Sequence, residues 1–148
     1  MKIVIGGDHA GFYLKEKIVE KLSEWGHEVN DVGCYSDAKV DFPDIALKVC
    51  RMVQNNEVER GAMICGTGIG AAIAANKFKG IRAALVHDMY SAHQCVEHDN
   101  ANIICMGAQI IGDRLAFDIL KTYLSATFSN KEQFIRRIEK LSKLEETK

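Results

Sequence analysis

Five times along this chain a short apolar run gives way to a longer stretch with helical spacing, and most junctions carry glycine or a polar cluster. That alternation is the strongest constraint on what the chain can fold into. Lys2–Gly6, His27–Gly33, Arg60–Cys65, Ile81–His87 and Asn102–Gly107 read as strands. Gly11–Trp25, Phe42–Asn55, Ile69–Phe78, Asp88–His98 and Gly112–Ala126 read as the helices that follow them. In the first helix Leu14, Ile18 and Leu22 fall on one face. Pro43 stands in the first turn of the second, where a missing N–H is tolerated. Asp88 is a good N-cap for the fourth. The strands are apolar on both sides, as parallel strands covered on both faces are. The expectation is one α/β domain over residues 1–148, a Rossmann-like, doubly wound, three-layer α/β/α fold on a five-stranded parallel sheet. A last stretch, Asn130–Glu146, sets Phe134, Ile138 and Leu141 at helical spacing. This C-terminal helix, within residues 130–148, is expected to pack on a partner subunit, with its own core as the alternative.

Nearly half the residues are apolar, enough for a folded interior. With 19 basic and 20 acidic side chains the formal net charge is -1, so no basic face is expected to bind nucleic acid or a membrane surface. No apolar run reaches membrane-spanning length, and the start, Met1-Lys-Ile-Val-Ile-Gly-Gly, does not suit a signal peptide. The expected location is the cytoplasm. Cysteines stand at 34, 50, 65, 95 and 105, an odd number with no C-x-x-C spacing, and read as free thiols rather than disulfide or zinc ligands.

In a doubly wound sheet ligands bind beyond the carboxyl ends of the strands, where strand order reverses. The turns to read are therefore Gly7–Gly11, Cys65–Gly70, His87–Tyr90 and Gly107–Gln109. The second is the richest. Cys65-Gly66-Thr67-Gly68-Ile69-Gly70 closes a buried strand and opens a helix. Its glycines let the backbone turn sharply and gather N–H groups at a helix start, where negative charge is favoured. A thiol there is a candidate base beside a cradle for an oxyanion. Three chemistries fit such a turn. Gly66-x-Gly68-x-x-Ala71 matches a dinucleotide pattern, but that pattern usually follows the first strand. A cysteine phosphatase loop needs arginine six residues after the cysteine, and position 71 is alanine. Proton abstraction beside a carbonyl, with the enediolate held by N–H groups, fits best. Asp8 and His9 end the first strand and can handle hydroxyl protons, although a helix cap and a surface histidine are the plain alternative. His98-Asp99-Asn100-Ala101-Asn102 makes an unusually polar approach to the fifth strand.

Taken together these segments resemble the ribose-5-phosphate isomerase B family, which includes galactose-6-phosphate isomerase subunits. The likeness is carried by Gly7-Asp8-His9-Ala10-Gly11, Asp31-Val32-Gly33, Asp41-Phe42-Pro43, Ile64–Gly70, Ala74–Lys77, Gly80–Ala84, Glu97-His98, Asn100–Ile103 and Ile110–Gly112. The resemblance implies an aldose–ketose isomerase of a phosphorylated sugar, without metal or cofactor, working as a homodimer or dimer of dimers with sites between subunits. It implies Cys65 as the base, Thr67 supporting it, and the N–H groups of Gly66, Gly68, Ile69 and Gly70 stabilising the enediolate. Asp8 and His9 would contact the open sugar. His98 of a neighbouring subunit would open the ring, with Asp99 beside the sugar and Arg137 on the phosphate.

The chain departs from the family pattern at the phosphate end. Where arginines are usual it has Gln109 and Gln133, and Asp99-Asn100 reverses the usual Asn-Asp order. Each charged hydrogen bond lost is worth roughly 1.5–3 kcal/mol. Lys131, Arg136 and Arg114 are candidates to replace them. The alternatives are a galactose 6-phosphate, tetrose phosphate or sugar-acid substrate, or, in another class, a sugar-phosphate-binding protein without turnover.

Overall fold

The alternation is realised as Lys2–Gly7 (β1), Phe12–Glu24 (α1), Glu28–Asp31 (β2), Phe42–Gln54 (α2), Arg60–Cys65 (β3), Ile69–Ala75 (α3), Ala83–Leu85 (β4), Met89–Glu97 (α4), Ile103–Gly107 (β5), Asp113–Ser125 (α5) and Glu132–Glu145 (α6). The computed structural model describes residues 1–147. All five strands are parallel, in the order β2-β1-β3-β5-β4. One side of the sheet packs Ile3, Ile5, Ala62, Ile64, Ile104 and Met106 against apolar faces of α1, α4 and α5. The other packs Val4, Met63, Cys65, Ile103 and Cys105 against α2 and α3. The three-layer, doubly wound expectation holds. Among the described residues no helix is long and apolar enough to cross a membrane, and no cluster of three or more His, Cys, Asp or Glu is placed to hold a metal ion.

The third helix and the β4 and β2 strands end at least two residues before their sequence patterns do. The third helix stops at Ala75, not Phe78: the Lys77 and Phe78 N–H groups turn to carbonyls three residues back, and the Asn76 side chain bonds Ala83, accepting its N–H and donating to its carbonyl, both at 2.9 Å. That bidentate amide also fixes where β4 begins. β4 itself is only Ala83–Leu85, an edge strand whose chain turns away at its end. β2 ends at Asp31, and Gly33 has a φ of +94°.

Lys15 is fully buried in α1. Its Nζ donates to Asp31 Oδ2 at 2.5 Å and Glu16 Oε1 at 2.6 Å, with the Phe12 and Tyr35 rings 5.8 Å away. Asp31 Oδ1 in turn accepts the Gly33 N–H at 2.9 Å. Burial alone would lower the ammonium's pKa, but its two carboxylate partners outweigh burial and hold it above the usual lysine value. A raised pKa of this kind stabilises the fold below the unfolded lysine value and is lost only as pH climbs through the higher folded one. Lys15→Met should therefore lower the unfolding free energy by about 2–3 kcal/mol at neutral pH, below the full cost of a broken buried pair because Asp31 keeps some solvent contact. Urea titrations at several pH values check this. The gap to wild type should stay level through neutrality and narrow only above about pH 10.

Candidate active site

The strand order reverses between β1 and β3. α1 leaves β1 toward one face and α3 leaves β3 toward the other, so the loops after these strands part and leave a crevice. Asp8 follows β1 and Cys65 ends β3, side by side, with the Asp8 N–H bonded to the Ile64 carbonyl at 3.2 Å.

Gly68 takes a φ of +80°, and a Cβ there would lie 2.6 Å from Leu85 Cδ1. This left-handed residue folds the turn back so that its own N–H donates to Cys65 Sγ at 3.0 Å. The Thr67 hydroxyl accepts the Ile69 N–H at 3.3 Å. The first helical bond of α3 runs from the Ala72 N–H to the Gly68 carbonyl at 3.0 Å, which leaves the Gly70 and Ala71 N–H groups in the unpaired first turn. Gly66 is flanked by Gln109, whose N–H donates to the Gly66 carbonyl at 3.0 Å. The Phe42 ring stands against Gly70. Sulfur, N–H donors and a hydroxyl thus converge at one strand end.

Asp8 is nearly buried and its Oδ1 accepts the Gly11 N–H at 3.0 Å, so part of its role is that of a turn cap. Its other oxygen makes no hydrogen bond to a described residue. His9 Nδ1 accepts the Val40 N–H at 3.4 Å, which leaves the proton of the neutral ring on Nε2. Three of the other thiols are raised by their surroundings. Burial pushes Cys50 up to about 12 and, with Asp99 adding to it, Cys95 up to about 11; it raises Cys105 further still.

His98, Asp99 and Arg137 are not brought to this crevice within one chain. α4 runs back along the sheet, so His98, its C-cap, lies at the amino end of the strands. The β5 backbone alone, four residue steps at about 3.3 Å, puts about 13 Å between the two ends. There His98 stacks on Phe134 of α6, ring centroids 4.2 Å apart at 17°, and the Arg137 guanidinium lies 5.6 Å from the same ring. Asn100 and Asn102, part of the polar run after His98, are structural. Arg82 Nε donates to the Asn100 carbonyl at 2.7 Å, and Asn102 Oδ1 accepts the Arg82 N–H at 2.8 Å. Phe134, read only as an apolar helix position, proves to be the platform of this second cluster.

The family model described as Ribose/Galactose Isomerase matches residues 3–141. The chain belongs to the ribose/galactose isomerase family. It is 48% identical over 129 residues to the ribose-5-P isomerase B of Listeria innocua, covering 87% of each chain. It is 43% identical over 131 residues to the D-erythrulose-4-phosphate isomerase 2 of Mycolicibacterium smegmatis, covering 86% of each. The solved ribose-5-phosphate isomerase B of Clostridium thermocellum superposes with a TM-score of 0.97 at 44% identity, over 99% of both chains.

The raised thiols give a direct check on the cysteine environment of this family member. In the native protein at about pH 8, iodoacetamide should leave Cys50, Cys95 and Cys105 unmodified by peptide mapping, and should label all three once the chain is unfolded. Native labelling at any of them would contradict the burial that raises it.

Proposed function

We propose that this protein interconverts the aldose and ketose forms of a phosphorylated sugar, of the ribose 5-phosphate and ribulose 5-phosphate type, by proton transfer through an enediolate. The observation that carries the reading is the Cys65 turn of a ribose/galactose isomerase. It sets a thiol sulfur at a strand end, 3.0 Å from an N–H donor and beside the open first turn of α3.

In this reading Cys65 Sγ takes the proton from the carbon next to the carbonyl and returns it to the neighbouring carbon. The electron pair left behind moves onto the carbonyl oxygen, which gains charge as the proton leaves. N–H groups of the Gly66–Gly70 turn, that of Gly70 in the open first turn of α3 among them, bind that oxygen better as it becomes an enediolate, the differential binding that accelerates a reaction. Thr67 supports the base and the sugar. Asp8, through its free oxygen, and His9, through Nε2, pass protons between the sugar hydroxyls.

The ring-opening histidine and the phosphate grip come from a second copy of the chain. What supports this is the separation of the His98–Phe134–Arg137 cluster from Cys65 within one chain, together with the exposed Ile135, Leu141 and Leu144 on α6. A homodimer, or a dimer of dimers, would bring the amino-end cluster of one subunit to the crevice of the other, with α6 lying across the partner. Gln109 and Gln133 leave the phosphate with fewer arginines than the family usually offers, and a relative at 43% identity is named for a tetrose phosphate. A sugar phosphate other than a pentose is therefore the second reading.

Cys65→Ala and His98→Ala should each lose at least about 10²-fold in turnover of ribose 5-phosphate. Refolded together in equal amounts, they should recover about a quarter of wild-type activity, since half the dimers are mixed and each of those holds one intact site. Mixtures no better than their parents would rule out the shared site, and Cys65→Ala turning over near the wild-type rate would rule out the base. A panel of pentose, hexose and tetrose phosphates assigns the sugar. Binding without conversion across the whole panel would leave a binding protein instead of an enzyme.

A further inference from the structure

In a parallel ladder the N–H and C=O of one residue point the same way, and successive residues alternate. On β5, Ile103 N–H bonds the Arg82 carbonyl at 3.4 Å and the Cys105 carbonyl takes the Val86 N–H at 3.0 Å, so odd positions face β4. Ala108 N–H bonds the Cys65 carbonyl at 2.8 Å, so even positions face β3. Gly107 N–H therefore points to the β4 side, and the two-residue period makes the Val86 carbonyl its due acceptor. β4 has ended by then. The N–H is taken instead by His87 Nε2, at 2.9 Å.

Gly107 matters because the catalytic turn rests on it. It pairs with Cys65, and a Cβ on Gly107 would lie 2.7 Å from the Cα, C and O of Thr67. Its carbonyl also closes the next turn, accepting from Ile110 at 3.0 Å and Ile111 at 3.1 Å. Any shift of Gly107 moves the backbone of Thr67 and, with it, the N–H groups around Cys65.

We propose that His87 is a positioning residue for the isomerase site, its imidazole standing in for a strand carbonyl that holds Gly107 and, through it, the Cys65–Gly70 turn. The proposal rests on the functional reading above. Nε2 accepts only while it is unprotonated, so the working ring is neutral with its proton on Nδ1. A protonated ring would set N–H against N–H and leave a strand-end donor unpaired. The titratable groups beside it are Asp88, which feels the ring's charge, and Tyr90 in the same turn. The β5 stretch from Ile103 to Gln109 holds no charged side chain.

Two variants separate this role from simple packing. His87→Leu fills space without an acceptor, and His87→Gln offers an oxygen at similar reach that does not titrate. With ribose 5-phosphate, His87→Leu should lose on the order of 10²-fold in kcat with KM within a few-fold, the cost of displaced catalytic groups. Its amide exchange at Gly107 and from Thr67 to Gly70 should be faster. His87→Gln should recover turnover to within about fivefold of wild type, regain slow exchange, and lose less activity than wild type toward about pH 5. The proposal is overturned if His87→Leu turns over like wild type, if His87→Gln is as impaired as His87→Leu, or if its acid profile matches wild type. Should His87→Leu fail to fold, the exchange and pH profile of His87→Gln decide alone. A wild-type protein inert toward every sugar phosphate would remove the functional reading, whereas the exchange comparison would still decide what His87 does.

Discussion

Backbone pairing between β1 and β3 runs to Gly7, the last residue of β1, opposite Ile64, one short of the end of β3, and continues one step further through the Asp8 N–H. The rest of the site depends on that contact. It fixes the height at which the chain leaves the sheet on both strands, and the strand order sends the two exits to opposite faces. The crevice that results is lined on one side by Asp8 and His9 and on the other by Cys65 and its turn. Neither loop is long enough to hold its residues by flexibility; each is fixed by bonds to the strand beside it.

The same sheet separates chemistry by its ends. At the carboxyl end are the thiol and N–H groups suited to proton transfer. At the amino end His98, Phe134 and Arg137 gather an imidazole and a guanidinium about one aromatic ring. One aromatic ring couples the end of α4 to α6. Substitutions on α6 can thus alter this cluster without touching the turn at Cys65.

Much of this was readable from the amino acids. The alternation of apolar runs and helical spacing determines the layers, since parallel strands need both faces covered. The glycines around Cys65 mark a tight turn before a helix. What could not be read depends on register and direction. That His98 lies far from Cys65 follows from α4 running antiparallel to the strands, a matter of three dimensions rather than spacing. β5 enters between β3 and β4, an order that no local pattern specifies. His87 stood in a turn worth reading, yet its partner is a backbone N–H twenty residues on, visible only once the ladder's phase is known. The short third helix escaped for a similar reason: its alanines favour helix, and the Asn76 amide at its end bonds to a strand formed later in the chain.

That position of β5 has a consequence for how the chain comes into being. β4 is an edge strand whose sheet partner is β5, and β5 is the last strand in the sequence. As the chain emerges from its amino end, β1, β2 and β3 can pair at once, while β4 has no strand to pair with until residue 107 is available. The segment from Ile81 to Val96 must wait, its apolar face uncovered, for a strand that inserts beside β3 and captures it. The sheet therefore closes from the inside, and the step that completes it is also the one that brings Gly107 beneath the Cys65–Gly70 turn.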